Sequence, residues 1–272
     1  MAAIDISQLA APMVMAAHRA GGLVMDHYQA GGPVQQKADN SPVTQADLAS
    51  EAVILASLAA LVPHIPVISE EAASDGEFPE TDALFFLVDP LDGTREFVAG
   101  RTEFTINIGL IAQGEPVFGL IYAPATDALF FTRGENDPVA AEVSPSAPLP
   151  PWPELPLREM RARDPGLEGL VAAVSRSHMD EATEKFLAEH EISSTLTSGS
   201  SLKFCQLAEG RADVYPRLGR TMEWDTAAGD AILRAAGGIT LTEEGKPLAY
   251  GKRENGYANP GFVAWGRKPI EA

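Results

Sequence analysis

Apolar residues recur at helical spacing along positions 6–28, and Ala30-Gly31-Gly32-Pro33 stops the run. After a polar turn at 37–44, a second helical stretch covers 46–61. The period then changes. Pro66-Val67-Ile68 reads as a short strand that ends at Ser69-Glu70-Glu71. Positions 83–88 are almost wholly apolar, which suits a strand in the middle of a sheet. Strands at 104–111, 117–122 and 128–132 follow without helices between them, so the spacing predicts an antiparallel meander. From Gly134 to Gly166 the chain is polar and carries Pro145, Pro148, Pro150, Pro151, Pro153 and Pro156, which disfavours regular structure.

Beyond that stretch, strands at 170–174, 193–196, 212–215 and 238–242 alternate with helices at 180–189, 201–210 and 226–236. Such alternation predicts an α/β unit. The chain therefore divides into an α+β half, 1–150, and an α/β half, 151–272, with no internal repeat.

Composition narrows the function. The 272 residues are 45% hydrophobic, enough for a sizeable core. Asp plus Glu number 38 against 20 Lys plus Arg, a net charge of -18 that repels nucleic-acid backbones and anionic membranes. The apolar start is interrupted by Asp5, His18, Arg19 and Asp26, so it reads as an amphipathic helix and not a transmembrane one. Cys205 is the single cysteine, which rules out an intramolecular disulfide. With no signal-like start, this places the chain in the cytoplasm.

Carboxylates at three element ends carry the chemistry. Asp89-Pro90-Leu91-Asp92-Gly93-Thr94 follows the buried strand. Turn chemistry accounts for Pro90, Asp92 and Gly93 but not for Asp89, whose charge needs a partner if buried. Glu70-Glu71 follows another strand, and Glu223-Trp224-Asp225-Thr226 opens a small-residue helix for which Asp225 also suits an N-cap. Converging carboxylates repel unless a divalent cation lies between them. Oxygen-only ligands suit Mg²⁺ or Mn²⁺, and none of the five histidines forms a zinc-like pattern with them.

The D-P-L-D-G-T run at 89–94 and W-D-T-A-A-G at 224–229, with Glu70, resemble the two signatures of the lithium-sensitive inositol monophosphatase superfamily. Within it, the stretches 37–47, 174–178, 198–217 and 259–262 are similar to the 3'(2'),5'-bisphosphate nucleotidase branch. The resemblance implies a layered αβαβα sandwich with the site between its halves. It also implies two or more Mg²⁺ ions. Glu70, Asp89 and the Leu91 carbonyl would bind one, and Asp89, Asp92 and Asp225 a second. Thr94, paired with Asp47, would orient and deprotonate the attacking water, and the Gly93 and Thr94 N–H groups would cradle phosphate. Lys203 and Arg217 would meet a second phosphate, with Ser177, His178 and Ser201 near the nucleotide.

The implied reaction removes the 3'-phosphate of 3'-phosphoadenosine 5'-phosphate, and of its sulfated form as a second substrate, in sulfur assimilation. The rival readings are an inositol or sugar monophosphatase with the same metal site and a non-catalytic phosphate-binding regulator. The partner is a small nucleotide bisphosphate, and the assembly a monomer or homodimer. The resemblance adds a peripheral position at the cytoplasmic face of the inner membrane as an alternative to free cytoplasm. Two departures stand out: Arg95 replaces the branch's usual Lys, and the 135–165 segment is longer and richer in proline.

Overall fold

The computed structural model of the chain describes residues 5–36, 42–76, 78–152, 154–166, 168–176 and 179–267. In chain order the first half contains α1 (Ser7–Ala30), a β1–β2 pair (Gln35–Gln36, Pro42–Val43), α2 (Gln45–Leu61), β3 (Val67–Ser69), α3 (Glu70–Ser74), β4 (Leu84–Asp92) and α4 (Thr94–Val98). There follow β5 (Thr105–Ala112), β6 (Glu115–Ala123), β7 (Ala128–Gly134) and β8 (Asp137–Glu142), and β9 (Arg158–Glu159), past residue 150, still pairs with β8 in the same sheet. The second half has β10 (Leu170–Ser175), α5 (Glu181–Glu189), β11 (Ile192–Ser198), α6 (Leu202–Ala208), β12 (Val214–Arg217), β13 (Thr221–Met222) and α7 (Glu223–Ala235). It closes with β14 (Ile239–Thr242), β15 (Ala258–Asn259) and β16 (Phe262–Trp265).

Seven strands, β3 to β9 in sequence order, form one sheet. It is antiparallel except where β3 lies parallel to β4. A second sheet has the order β11-β10-β12-β16-β14. The continuous apolar run of β4 has a simple cause. Side chains alternate across a strand. Phe86 and Val88 join the core under α1 and α2, while Phe85 and Leu87 join the core under α6 and α7. The second sheet closes the other side of α6 and α7, and Phe186 and Leu187 of α5 pack on its outer face. The layers are therefore α1/α2, large sheet, α6/α7, small sheet, α5. This is the layered sandwich that the resemblance implies.

Two expectations need correction. The stretch from Gly134 is not irregular throughout, because β8 pairs with β7 across a two-residue turn in which Asn136 has φ 55. Pro138 sits only at the second position of β8, and the run of prolines that disfavours a strand begins at Pro145, past the buried Val139, Ala140 and Ala141. Nor is the second sheet built from alternating elements alone. β16 inserts antiparallel between β12 and β14, with Phe262 and Ala264 in the core beneath and Val263 and Trp265 in the cluster on the outer face. Among the described residues no helix is long and apolar enough to cross a membrane.

Candidate metal centre and substrate cavity

The parity of β4 that turns Phe85 and Leu87 toward α7 also turns Asp89 there. Asp89 is only 1% exposed. Its Oδ1 accepts from the Leu91 N–H at 3.0 Å. Parallel pairing of Ser69 with Val88 sets Glu70, the first residue of α3, beside it. Asp225 arrives from the opposite layer. It is the third residue of α7, and its Oδ2 accepts from the Met222 N–H at 2.8 Å. Asp225 is therefore not the N-cap, a place that Met222 takes, but from the third helical position it binds the N-cap N–H and also faces the two strand-end carboxylates. Carboxylate oxygens of Glu70, Asp89 and Asp225 lie within 4.8 Å of one another.

Close packing fixes that approach. A Cβ on Gly119 would lie 2.1 Å from the Ala228 carbonyl oxygen, and one on Gly109 2.8 Å from Ala227 Cβ. Only glycine lets α7 sit this near to β5 and β6.

Burial pushes the Asp89 carboxyl well above the usual carboxylate range, and the charges of Glu70, Asp92 and Asp225 push it further. Burial also raises the Asp225 carboxyl, followed by the charges of Asp92 and Glu70. Three hard oxygen donors in mutual repulsion fit a divalent cation of the Mg²⁺ or Mn²⁺ kind.

Asp92 takes a different place. Pro90 and Leu91 interrupt the β4–β5 register between the Asp89–Asn107 and Asp92–Thr105 pairs. Such a break re-aims the side chains beyond it. Asp92 Oδ2 accepts from Ser200 Oγ at 2.5 Å and lies 3.5 Å from Asn107 Nδ2. Next along the chain, Gly93 has φ 90, and a Cβ there would lie 3.0 Å from the Glu103 carbonyl oxygen. Thr94 then opens α4. Its hydroxyl lies 3.2 Å from both Asp47 Oδ1 and the Leu91 carbonyl oxygen. Asp47 is held from behind, because its Oδ2 accepts from the Thr44 N–H at 2.8 Å and the Thr44 hydroxyl at 2.7 Å. This is the capping box of α2.

A cavity of about 270 Å³ joins these groups to the second half of the chain. Glu70, Asp89, Leu91, Asp92, Gly93, Thr94 and Asp225 line it, as do Ser201, Lys203 and Arg217. Lys203 is 3% exposed. Its ammonium donates to the carbonyls of Ser198 and Ser200 and lies 5.2 Å from the centre of the Tyr215 ring. Burial lowers it to about 8, against the opposing pull of Asp92. The Arg217 guanidinium reaches the Arg220 carbonyl at 3.4 Å. The Ser201 hydroxyl is turned to Asn107 Oδ1 at 2.7 Å. Ser177 and His178 lie outside the described residues, as do Lys37 to Ser41 of the first similar stretch.

Sequence reading missed Ser200, Thr105 and Asn107. Thr105 and Asn107 are polar residues inside an otherwise apolar strand. Ser200 stands in the S-G-S-S run from which only Ser201 was singled out.

Fold and cavity together define a layered α+β protein with a hard-cation carboxylate centre in the cleft between its halves. The chain belongs to the inositol monophosphatase family, whose profile matches residues 5–267. That family is metal-dependent. Among its relatives are proteins named 3'(2'),5'-bisphosphate nucleotidase CysQ. The one from Salmonella typhimurium is 42% identical over 250 residues, 90% of this chain and 95% of the relative. That from Escherichia coli is 41% identical over 248 residues with the same coverage. The crystal structure of CysQ from Bacteroides thetaiotaomicron superposes with a TM-score of 0.79 at 34% identity, covering 97% of this chain and 98% of that one. An inositol monophosphatase from Anabaena shares the fold at 24% identity and a TM-score of 0.72.

Proposed function

We propose that this chain is a Mg²⁺-dependent 3'(2'),5'-bisphosphate nucleotidase that hydrolyses the 3'-phosphate of 3'-phosphoadenosine 5'-phosphate. The observation that carries the reading is one cavity lined both by the carboxylate cluster and by cations, Lys203 and Arg217 among them. Relatives named for this activity, at 41–42% identity over 90% of the chain, support it.

Glu70, Asp89, Asp92, Asp225 and the Leu91 carbonyl would hold the cations. When bound, divalent cations supply positive charge against the phosphate oxygens and make a neighbouring water more acidic. The protein's part is orientation and proton handling. The Thr94 hydroxyl has one proton and two acceptors, Asp47 Oδ1 and the Leu91 carbonyl. As its own proton passes to Asp47 Oδ1, its oxygen can take a proton from a water, and Asp47 ends as the protonated acid. Asp47, whose Oδ2 is fixed by Thr44, anchors that relay. Gly93 and Thr94 line the same cavity at the start of α4, and their backbone N–H groups would cradle the phosphate.

Lys203 and Arg217 give the second phosphate a place that a monophosphate does not need. With its ammonium near 8, Lys203 is mostly charged at neutral pH, and a bound phosphate stabilises that charge.

The test is phosphate release across nucleotide bisphosphates, inositol 1-phosphate and sugar phosphates. The nucleotide bisphosphate is expected to be the best substrate, with its sulfated form also cleaved. Lys203→Ala and Arg217→Ala should each reduce kcat/KM for it by about ten- to a hundredfold, from roughly 1.5–3 kcal/mol per charged hydrogen bond. Loss on inositol 1-phosphate should be far smaller. A better rate on inositol 1-phosphate with the unmodified protein would overturn the nucleotidase reading and leave a metal-dependent phosphatase.

A further inference from the structure

We infer that Ser200 is a positioning residue that holds Asp92 ready for its cation from the opposite half of the chain. The inference rests on the metal-dependent reading above. Asp92 does not share in the close cluster of Glu70, Asp89 and Asp225. One of its oxygens is instead committed to Ser200 Oγ at 2.5 Å, and that hydroxyl also lies 3.1 Å from the Asp92 carbonyl.

Proton directions in the network are dictated by chemistry. An ionised carboxylate only accepts, so the Ser200 proton goes to Asp92. The Thr105 hydroxyl then has two acceptors, Ser200 Oγ at 2.6 Å and Asn107 Oδ1 at 3.0 Å, each of which leads on to Asp92. Ser201 Oγ donates to Asn107 Oδ1 at 2.7 Å, which turns the Asn107 amide NH₂ toward Asp92 Oδ2. Thr105, Asn107 and Ser201 are all buried, so these directions do not scramble with solvent. Every donor in the group is aimed, directly or through one neighbour, at the same carboxylate oxygen.

The backbone of Ser200 supports a selected role. Its φ is +55, a left-handed conformation that favours glycine. Ser200 therefore carries a side chain where glycine would be the less strained residue, and that side chain is spent on Asp92. The carbonyl of Ser200 accepts from the Lys203 ammonium as well. One residue thus links the Asp92 ligand to the proposed phosphate contact. Fixing a ligand's rotamer through a hydrogen bond from behind raises metal affinity, and removing such a bond typically costs ten- to a hundredfold.

The strain makes a clean test. Ser200→Gly removes the hydroxyl and relieves the backbone, whereas Ser200→Ala removes the hydroxyl and keeps the strain. Mg²⁺ binding to the metal-free protein is measured by calorimetry, together with melting in EDTA and kcat and KM at low and high Mg²⁺. Ser200→Gly is expected to melt at or above the unmodified temperature in EDTA, yet to bind its weaker Mg²⁺ about tenfold less tightly. Activity should fall at low Mg²⁺ and recover at high Mg²⁺. Ser200→Ala should show the same loss of Mg²⁺ affinity with a lower melting temperature.

Unchanged Mg²⁺ affinity in Ser200→Gly overturns the inference. If KM for the nucleotide rises instead while Mg²⁺ affinity holds, Ser200 touches substrate and does not position Asp92. If the unmodified protein binds no Mg²⁺ at all, the metal-dependent reading itself falls, and this inference with it.

Discussion

Asp89 shows what a buried charge contributes here and what it costs. It is 1% exposed and surrounded by other carboxylates, so burial and repulsion raise its carboxyl well above the usual carboxylate range. An acid whose folded pKa is raised stabilises the fold at low pH, and that contribution is lost as pH rises through the folded value. The metal-free protein therefore carries a destabilising term at neutral pH that fades on acidification toward 3.8. Each tenfold displacement of that proton equilibrium is worth about 1.4 kcal/mol. Asp89→Asn keeps an acceptor for the Leu91 N–H but removes the charge. Melted in EDTA at pH 7.5 it should be more stable than the unmodified protein, and the difference should shrink by pH 5. Turnover should be lost. Lower stability of the variant at pH 7.5 would show that Asp89 is held by its neighbours and not repelled.

At the scale of elements, the centre depends on how closely α7 lies on the large sheet. Gly109 and Gly119 on β5 and β6 face Ala227 and Ala228, two and three residues past Asp225. Anything larger lifts the helix and withdraws Asp225 from Glu70 and Asp89. Gly119→Ala places a Cβ at 2.1 Å from a backbone oxygen, which no rotamer relieves. It is expected to destabilise by about 1–3 kcal/mol or more, as overpacked cores do, and to weaken Mg²⁺ binding together with stability. Denaturant unfolding with and without Mg²⁺ measures both. A variant that loses stability but binds Mg²⁺ normally would show that β4 and α3 alone define the centre. The parallel β3–β4 pair plays the matching role on the other side, since its register sets Glu70 level with Asp89.

For the molecule as a whole, a net charge of -18 is at odds with an anionic substrate unless cations reverse the sign locally. Lys203 and Arg217 line the cavity and would do so in part, and bound metal would complete it. Because the carboxylates come from two layers, a cation among them ties α7 to β4 and α3 and favours the folded state over the unfolded one. Mass action gives about 2.7 kcal/mol when free metal stands at a hundred times its dissociation constant. For a chain of this size that raises the melting temperature by roughly 5–10 °C. A thermal melt across Mg²⁺ concentrations checks this, with Ca²⁺ as a charge-matched control. No response to millimolar Mg²⁺ would count against the centre.

The amino-acid pattern alone determined the longer helices and most strands of both halves, because period and turn chemistry are local, but not the short α3. It also singled out Asp89, since a carboxylate at the end of an apolar strand has no cheap structural explanation. Glu70, Asp92, Thr94 and Asp225 came with it as element-end residues, and their roles came from resemblance. The strand at β8 escaped because nearby prolines dominated the composition, and β16 because its four apolar residues lack any signal beyond the core they fill. Tertiary structure decided the rest. That Glu70, Asp89 and Asp225 meet within 4.8 Å follows from strand register and from the glycine-lined approach of α7. That Asp92 stands apart, held by Ser200, follows from the break in β4 and from a loop that reaches it from the other half. Register and layer contact join residues far apart in the chain, and no local pattern of side chains encodes a distance across a cleft.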